Sequence, residues 1–202
     1  MQTFGRNAAL LVVDMQLGFD DPAWGPRNNL DLERNVSALI AAWRLAGAPV
    51  IHVHHDSPRL DGRMRPGTPG NAAKPEAQPR PNEWIYRKTV NSAFIGTTLE
   101  GDLRKRGIAT LVIVGLTTNH CISTTARMSG NLGFDTFVVS DATATFDRPD
   151  LCGTLRLAAG VHDAALSDLK DEFAQIVDTA FVRARLVRPE PKPSAKGSKT
   201  HA

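Results

Sequence analysis

One of the two cysteines in this 202-residue sequence, Cys121, stands in VIVGLTTNHCISTT, where an apolar strand-like run gives way to a helical pattern. A thiol at a helix N-terminus feels the positive end of the peptide dipoles and the free N–H groups there. Both favour the thiolate, the nucleophilic form. Two more reactive side chains close strand-like runs: Asp14 ends AALLVVD and Lys88 ends EWIYRK. A cation beside a thiol eases loss of its proton, and a nearby carboxylate can take and return it. Singly, each has an ordinary reading. Asp14 would cap a turn, Lys88 would be a surface charge, and Cys121 would fill the core, as cysteine often does. Only a shared location turns the three into a nucleophilic centre.

The elements that would bring them together follow from periodicity. Apolar runs at 8–13 (AALLVV), 49–54 (PVIHVH), 83–88, 109–115 (ATLVIVG) and 135–141 (DTFVVSD) read as strands, with a last short one near AQIVDT. Between them lie a helix over about 32–45, with Leu32, Val36, Leu39, Ile40 and Trp43 on one face, and a Gly47 stop signal. A Thr97-x-x-Glu100 capping box opens another helix, and helices are expected over 121–132 and about 153–170. Continuous β-branched strands alternating with helices predict an α/β fold: a doubly wound, mainly parallel sheet of six strands with helices on both faces. In such sheets ligands bind beyond the carboxyl ends of the strands, which is where Asp14, Lys88 and Cys121 fall. Residues 57–82 break the pattern with six prolines and no period. A loop this long in a compact domain is more often functional than accidental. Wall or lid, packed insertion and subunit contact all stand as readings.

The chain is long enough for one domain with a full core, taken as 1–187. The formal charge of +3 resides in 188–202, where Arg188, Lys192, Lys196 and Lys199 face Glu190 alone. That Pro-, Ser- and Lys-rich tail reads as disordered, and the remainder, with no net charge and no basic stripe, gives no basis for a nucleic-acid partner. No segment has the apolar length to span a bilayer, so no membrane partner is expected. MQTFGRNAALLVVD lacks the layout of a signal peptide, and two cysteines make no disulfide framework. A cytoplasmic location is the expectation. GRMRPGTPG has neither the Lys-Ser/Thr ending of a phosphate loop nor the context of a dinucleotide fingerprint, so no nucleotide cofactor is implied.

VVDMQLGF with Asp14 and Gln16, RKTVNSAF with Lys88 and GLTTNHC with Cys121 make the sequence recognisable. It resembles, from about residue 8 to 182, the isochorismatase-like cysteine hydrolases, which include nicotinamidases, N-carbamoylsarcosine amidohydrolases and related amidases. The resemblance implies a parallel six-stranded α/β fold and a catalytic triad of Asp14, Lys88 and Cys121. It also implies a cis peptide between Leu116 and Thr117 and an oxyanion hole built from the N–H groups of Thr117 and Cys121. The expected activity is cofactor-independent cleavage of a C–N bond in a small amide or ureido compound, through a thioester. Isochorismatases proper cleave a vinyl ether and typically lack this cysteine, so Cys121 favours amide chemistry. Vinyl ether hydrolysis and a noncatalytic, metabolite-binding member of the fold are the alternatives. A homo-oligomer, dimer or tetramer, is implied as well.

Nicotinamidases hold a divalent metal with an Asp-x-His arrangement and further histidines after the second strand. Here HVHHDSP puts His52, His54 and His55 ahead of Asp56. Alternation sends His52 and His54 to one face and His55 to the other, which is poor geometry for three ligands, and no metal is expected. His55 and His120 are candidates for the substrate pocket, with Phe19 and Trp24 as apolar walls and Asn91 as a polar contact. Core packing, helix capping and a structural place beside the helix start are the plainer readings of these residues. Asp141 reads as ordering its loop, and Cys152 as a structural residue in a helical segment.

Overall fold

In the computed structural model, which describes residues 3–187, the strand-like runs become one parallel sheet ordered β3-β2-β1-β4-β5-β8. The tail assigned to 188–202 lies outside the described residues. The sheet comprises β1 (Ala8–Val13), β2 (Val50–His55), β3 (Trp84–Lys88), β4 (Thr110–Leu116), β5 (Asp135–Ala144) and the short β8 (Gln175–Val177). Strands β1 and β4 are buried along their whole lengths, as expected of central strands covered on both faces.

Alternate residues of each strand feed two cores. Leu10, Val12, Val50, Val112 and Val114 pack under α1 (Leu32–Ala46), against Leu32, Val36, Leu39, Ile40 and Trp43. Trp43 also donates its indole N–H to the Ala8 carbonyl at 3.1 Å. On the other face Leu11, Val13, Ile51, Val53, Leu111 and Ile113 meet Leu99 and Leu103 of α2 (Leu99–Lys105). They also meet Ala126 of α3 (Ser123–Asn131) and Leu166 of α4 (Ala158–Ser167). A final helix, α5 (Thr179–Arg185), returns to the first face with Val182. Helices thus cover both faces, and the winding reverses between β1 and β4, where a crevice opens.

Three local expectations are corrected. The Thr97-x-x-Glu100 capping box does not form: Thr97 Oγ1 donates to the Ala93 carbonyl at 2.6 Å, and the helix begins one residue later, after Thr98. The helix expected from 153 starts at Ala158. Before it, an antiparallel pair of two-residue strands, β6 (Arg148–Pro149) and β7 (Leu155–Arg156), forms a hairpin. Cys152 sits exposed in its turn, where the Asp150 carboxylate accepts from the N–H groups of Cys152 and Thr154. A local side-chain acceptor there offers the backbone an alternative to helix.

Two backbone features place the crevice. Gly115 pairs with Val13 at φ +118°, and a Cβ there would lie 1.9 Å from the Val13 carbonyl oxygen. The ends of β1 and β4 can therefore approach only because residue 115 has no side chain. Asp14 itself has φ +51°, a left-handed conformation costing a non-glycine residue roughly 1–2 kcal/mol. No helix among the described residues is long and apolar enough to cross a membrane.

Two stability predictions follow. Gly115→Ala is expected to destabilise the fold by about 2 kcal/mol or more, read from urea unfolding midpoints. His54 is buried, and that burial, with His52 and Arg87 nearby, lowers its pKa to about 4. The unfolded chain takes up that proton near pH 6.5. The contribution of neutral His54 should therefore be complete above about pH 6.5 and fall away toward pH 4, by up to about 3 kcal/mol. Unfolding curves at pH 7.5, 5.5 and 4.5 should show this slope, and His54→Asn should flatten it.

Candidate active site

Three strand ends supply the chemistry. Asp14 follows β1, Lys88 ends β3, and Cys121 lies in a π-helical turn, Thr118–Ile122, that joins β4 to α3. Although β2 separates β1 from β3, the lysine side chain spans the gap. Lys88 Nζ donates to Asp14 Oδ2 at 2.7 Å and to Cys121 Sγ at 3.2 Å. Asp14 is wholly buried, with Lys88 2 % and Cys121 8 % exposed. The second carboxylate oxygen, Asp14 Oδ1, is buried without a hydrogen-bond partner among the described residues.

This environment differs from the one expected at a helix start. Burial, reinforced by the Asp14 carboxylate, pushes the Cys121 thiol well above its ordinary range, and Lys88 only partly opposes this. Burial and the neighbouring carboxylate thus favour the protonated sulfur over the thiolate, against the Lys88 cation. Burial also works against the Lys88 charge, yet Asp14 and then Cys121 hold its pKa above the usual value. The lysine stays an ammonium.

A cavity of about 280 Å³ opens over Cys121, and every residue proposed for the substrate pocket borders it. Phe19 and Trp24 form one wall, their ring centroids 5.3 Å apart. Phe146 stacks behind both, at 6.1 and 5.4 Å. Asn91 Oδ1 lies 3.7 Å from Sγ, and Thr117 and His120 border the cavity from the β4 side. The peptide between Leu116 and Thr117 is cis. His120 stands at the exposed rim, with Nδ1 3.2 Å from Thr117 Oγ1 and Nε2 2.9 Å from Arg148 Nη1.

Of the three histidines on β2, only His55 reaches this cavity. Its Nδ1 is 3.4 Å from Lys88 Nζ, and burial together with that cation lowers its pKa. His52 turns to the other face and binds Glu83 at 2.9 Å. His54 is buried beside it. Donor atoms of Asp14, His55 and Cys121 do lie within 4.8 Å of one another. The Lys88 nitrogen, however, lies against all three residues, so the positive charge in that cluster is the lysine's own. A divalent ion would have to share the space with an ammonium, and the set does not fit one.

Several participants carried no signal in the sequence. Met64, from the 57–82 segment, lines the cavity, which makes that segment part of the wall. Gln16 ties it down. Its Oε1 accepts from the His55 N–H at 2.7 Å, and its Nε2 donates to the carbonyls of His55 and Asn71. Asn71 in turn donates to the carbonyls of Met64 and His55. Gln16 lay within the recognised motif, but its partners are 39 and 55 residues away. Asp141 lies within β5 rather than at its end, and it anchors the start of α5 by accepting from the Thr179 N–H and hydroxyl.

Comparison with known proteins places the chain in a family. The model of the isochorismatase domain matches residues 8–181. The isochorismatase family protein YrdC of Bacillus subtilis is 49% identical over 171 residues, 85% of this chain and 91% of its own length. Nicotinamidase 3 of Arabidopsis thaliana is 33% identical, covering 89% of each chain. The crystal structure of an isochorismatase-family protein from Chromobacterium violaceum superposes with a TM-score of 0.88 at 43% identity, over 91% of this chain and 96% of the other. The chain belongs to the isochorismatase family.

Proposed function

We propose that this family hydrolase is a cofactor-independent cysteine hydrolase that cleaves the C–N bond of a small amide or ureido compound. The observation that carries the reading is the buried ammonium of Lys88, which bridges a thiol and a carboxylate whose other oxygen is unpartnered. That oxygen is an acceptor with no competing donor among the described residues, in a site whose burial favours the protonated sulfur. Nicotinamidase 3, by its name an amide hydrolase, lends further support.

In this reading Asp14 takes the Cys121 proton as sulfur attacks the carbonyl carbon, so the thiolate exists only when it is used. Lys88 stays protonated and offsets whichever neighbour carries the negative charge. The carbonyl oxygen becomes an oxyanion, met by the N–H groups of Thr117 and Cys121. Protonated Asp14 then gives its proton to the nitrogen, the C–N bond breaks, and an acyl-thioester remains. Water, losing a proton to Asp14, attacks that carbonyl. The acid departs, and sulfur recovers the proton. The sum is one amide and one water converted to an acid and an amine or ammonia. No step calls for a metal, in keeping with the ammonium already placed among the donor atoms.

Cys121→Ala should lower ammonia release by about 10³-fold or more while the far-ultraviolet circular dichroism is retained. The assay is a screen over nicotinamide, small aliphatic amides, ureido acids and biuret. Retained turnover on the responding compound would sink the proposal. Asp14→Asn should abolish turnover yet speed alkylation of Cys121 by iodoacetamide. It removes the charge that holds the thiol proton in place and leaves Lys88 to stabilise the thiolate, with about tenfold more thiolate per unit fall in pKa. Slower alkylation in that variant would contradict the assigned direction of proton transfer.

A further inference from the structure

The rim of the cavity contains a hydrogen-bond chain whose donors and acceptors can be assigned without ambiguity. Arg148, on the β6–β7 hairpin, is a guanidinium and only donates. Its contact at 2.9 Å therefore requires the Nε2 of His120 to be an unprotonated acceptor. Asn119 points to the same assignment. Its Oδ1 accepts from the Thr145 hydroxyl at 2.6 Å, which leaves its Nδ2 as the donor facing His120 Nε2 at 3.4 Å. Thr145 is fixed in turn by its N–H, which donates to Asn28 Oδ1 at 2.8 Å.

With Nε2 unprotonated, a neutral imidazole carries its proton on Nδ1. That proton points at Thr117 Oγ1, 3.2 Å away. The backbone closes the same ring, since the His120 N–H donates to the Thr117 carbonyl at 3.1 Å. Thr117 Oγ1 thus accepts from His120, and among the described residues its own O–H has no acceptor. Thr117 borders the catalytic cavity, which leaves its hydroxyl proton for whatever occupies that space.

We propose that Arg148 is a positioning residue. Through His120 it holds the Thr117 hydroxyl as a hydrogen-bond donor directed at the substrate, so that the enzyme selects substrates bearing an acceptor on the acyl group. The last clause rests on the hydrolase reading above; the Arg148–His120–Thr117 chain does not. The assignment gives the hairpin inserted between β5 and α4 a specific task in substrate choice. It also makes Thr117 bifunctional, since its N–H would serve the oxyanion and its side chain the substrate.

The test has two readouts on the full chain. Long-range ¹H–¹⁵N spectra at pH 7.5, with the His120 signals identified by their loss in His120→Asn, should show the Nδ1–H tautomer. Arg148→Met should shift that population toward Nε2–H, and Arg148→Lys, which keeps a donor, should restore it. The second readout is reversible thiohemiacetal formation at Cys121 with benzaldehyde and the three pyridine carboxaldehydes, each referenced to free cysteine. At least one pyridine isomer should bind about tenfold tighter than benzaldehyde. That preference should vanish in Thr117→Val and in Arg148→Met, return in Arg148→Lys, and show no further loss in the double variant Thr117→Val/Arg148→Met. A His120 tautomer unchanged in Arg148→Met, or a pyridine preference that survives that variant, overturns the proposal. If the tautomer responds as stated but no aldehyde adds to Cys121 in the unaltered protein, the chain of hydrogen bonds stands and the hydrolase reading falls.

Discussion

The Lys88 ammonium and the Asp14 carboxylate meet at 2.7 Å with no side-chain exposure on either partner. Each ion removed from water costs several kcal/mol, and only close pairing with further polar contacts offsets this. The rest of the architecture follows from that constraint. The pair must be formed across β2, by a side chain long enough to reach from β3 to the end of β1. It must be roofed by the 57–82 segment and the aromatic wall. Its third neighbour, the Cys121 thiol, takes one of the ammonium's hydrogen bonds at 3.2 Å. Nucleophile and ion pair are therefore one electrostatic unit, and no member can change charge without moving the others.

The backbone around that unit is correspondingly unusual. Asp14 accepts a left-handed conformation, and Gly115 lets β4 come against the Val13 carbonyl. Both lie at the point where the sheet reverses its winding. A parallel sheet leaves the strand ends there with helices departing to opposite faces, so the crevice exists before any side chain is chosen. The sequence then furnishes it with a carboxylate from one strand and a thiol from the neighbouring strand's turn.

The fold was largely legible because central strands and amphipathic helices leave periodic traces. The β1 and β4 runs are uniformly apolar, and the Leu32–Val36–Leu39–Ile40–Trp43 stripe marks one helix face. Asp14, Lys88 and Cys121 were legible for a different reason: the first two close strand runs, the third opens the helix after one, and strand ends converge in this topology. Aperiodic contributions were out of reach. Met64 and Asn71 sit in a proline-rich stretch, and their positions depend on long-range bonds to Gln16 and His55. The β6–β7 hairpin depends on one carboxylate, Asp150, accepting from two backbone N–H groups of its own turn. The thiol's raised pKa was hidden too, since burial and a charge from 107 positions earlier outweigh the Lys88 cation.

The segment between β2 and β3 has a consequence for how such a protein diversifies. It carries part of the cavity wall but none of the proton-transferring groups, and it is attached by the Gln16 and Asn71 amides, by the Arg63–Asp21 and Lys74–Glu33 ion pairs and by backbone bonds to residues 15 and 17. Replacement of its interior by chain of another length or composition would reshape the binding space while the reacting atoms keep their places. Evolution, or a protein engineer, thus has a module in which ligand preference can drift separately from chemistry, provided those attachments are kept.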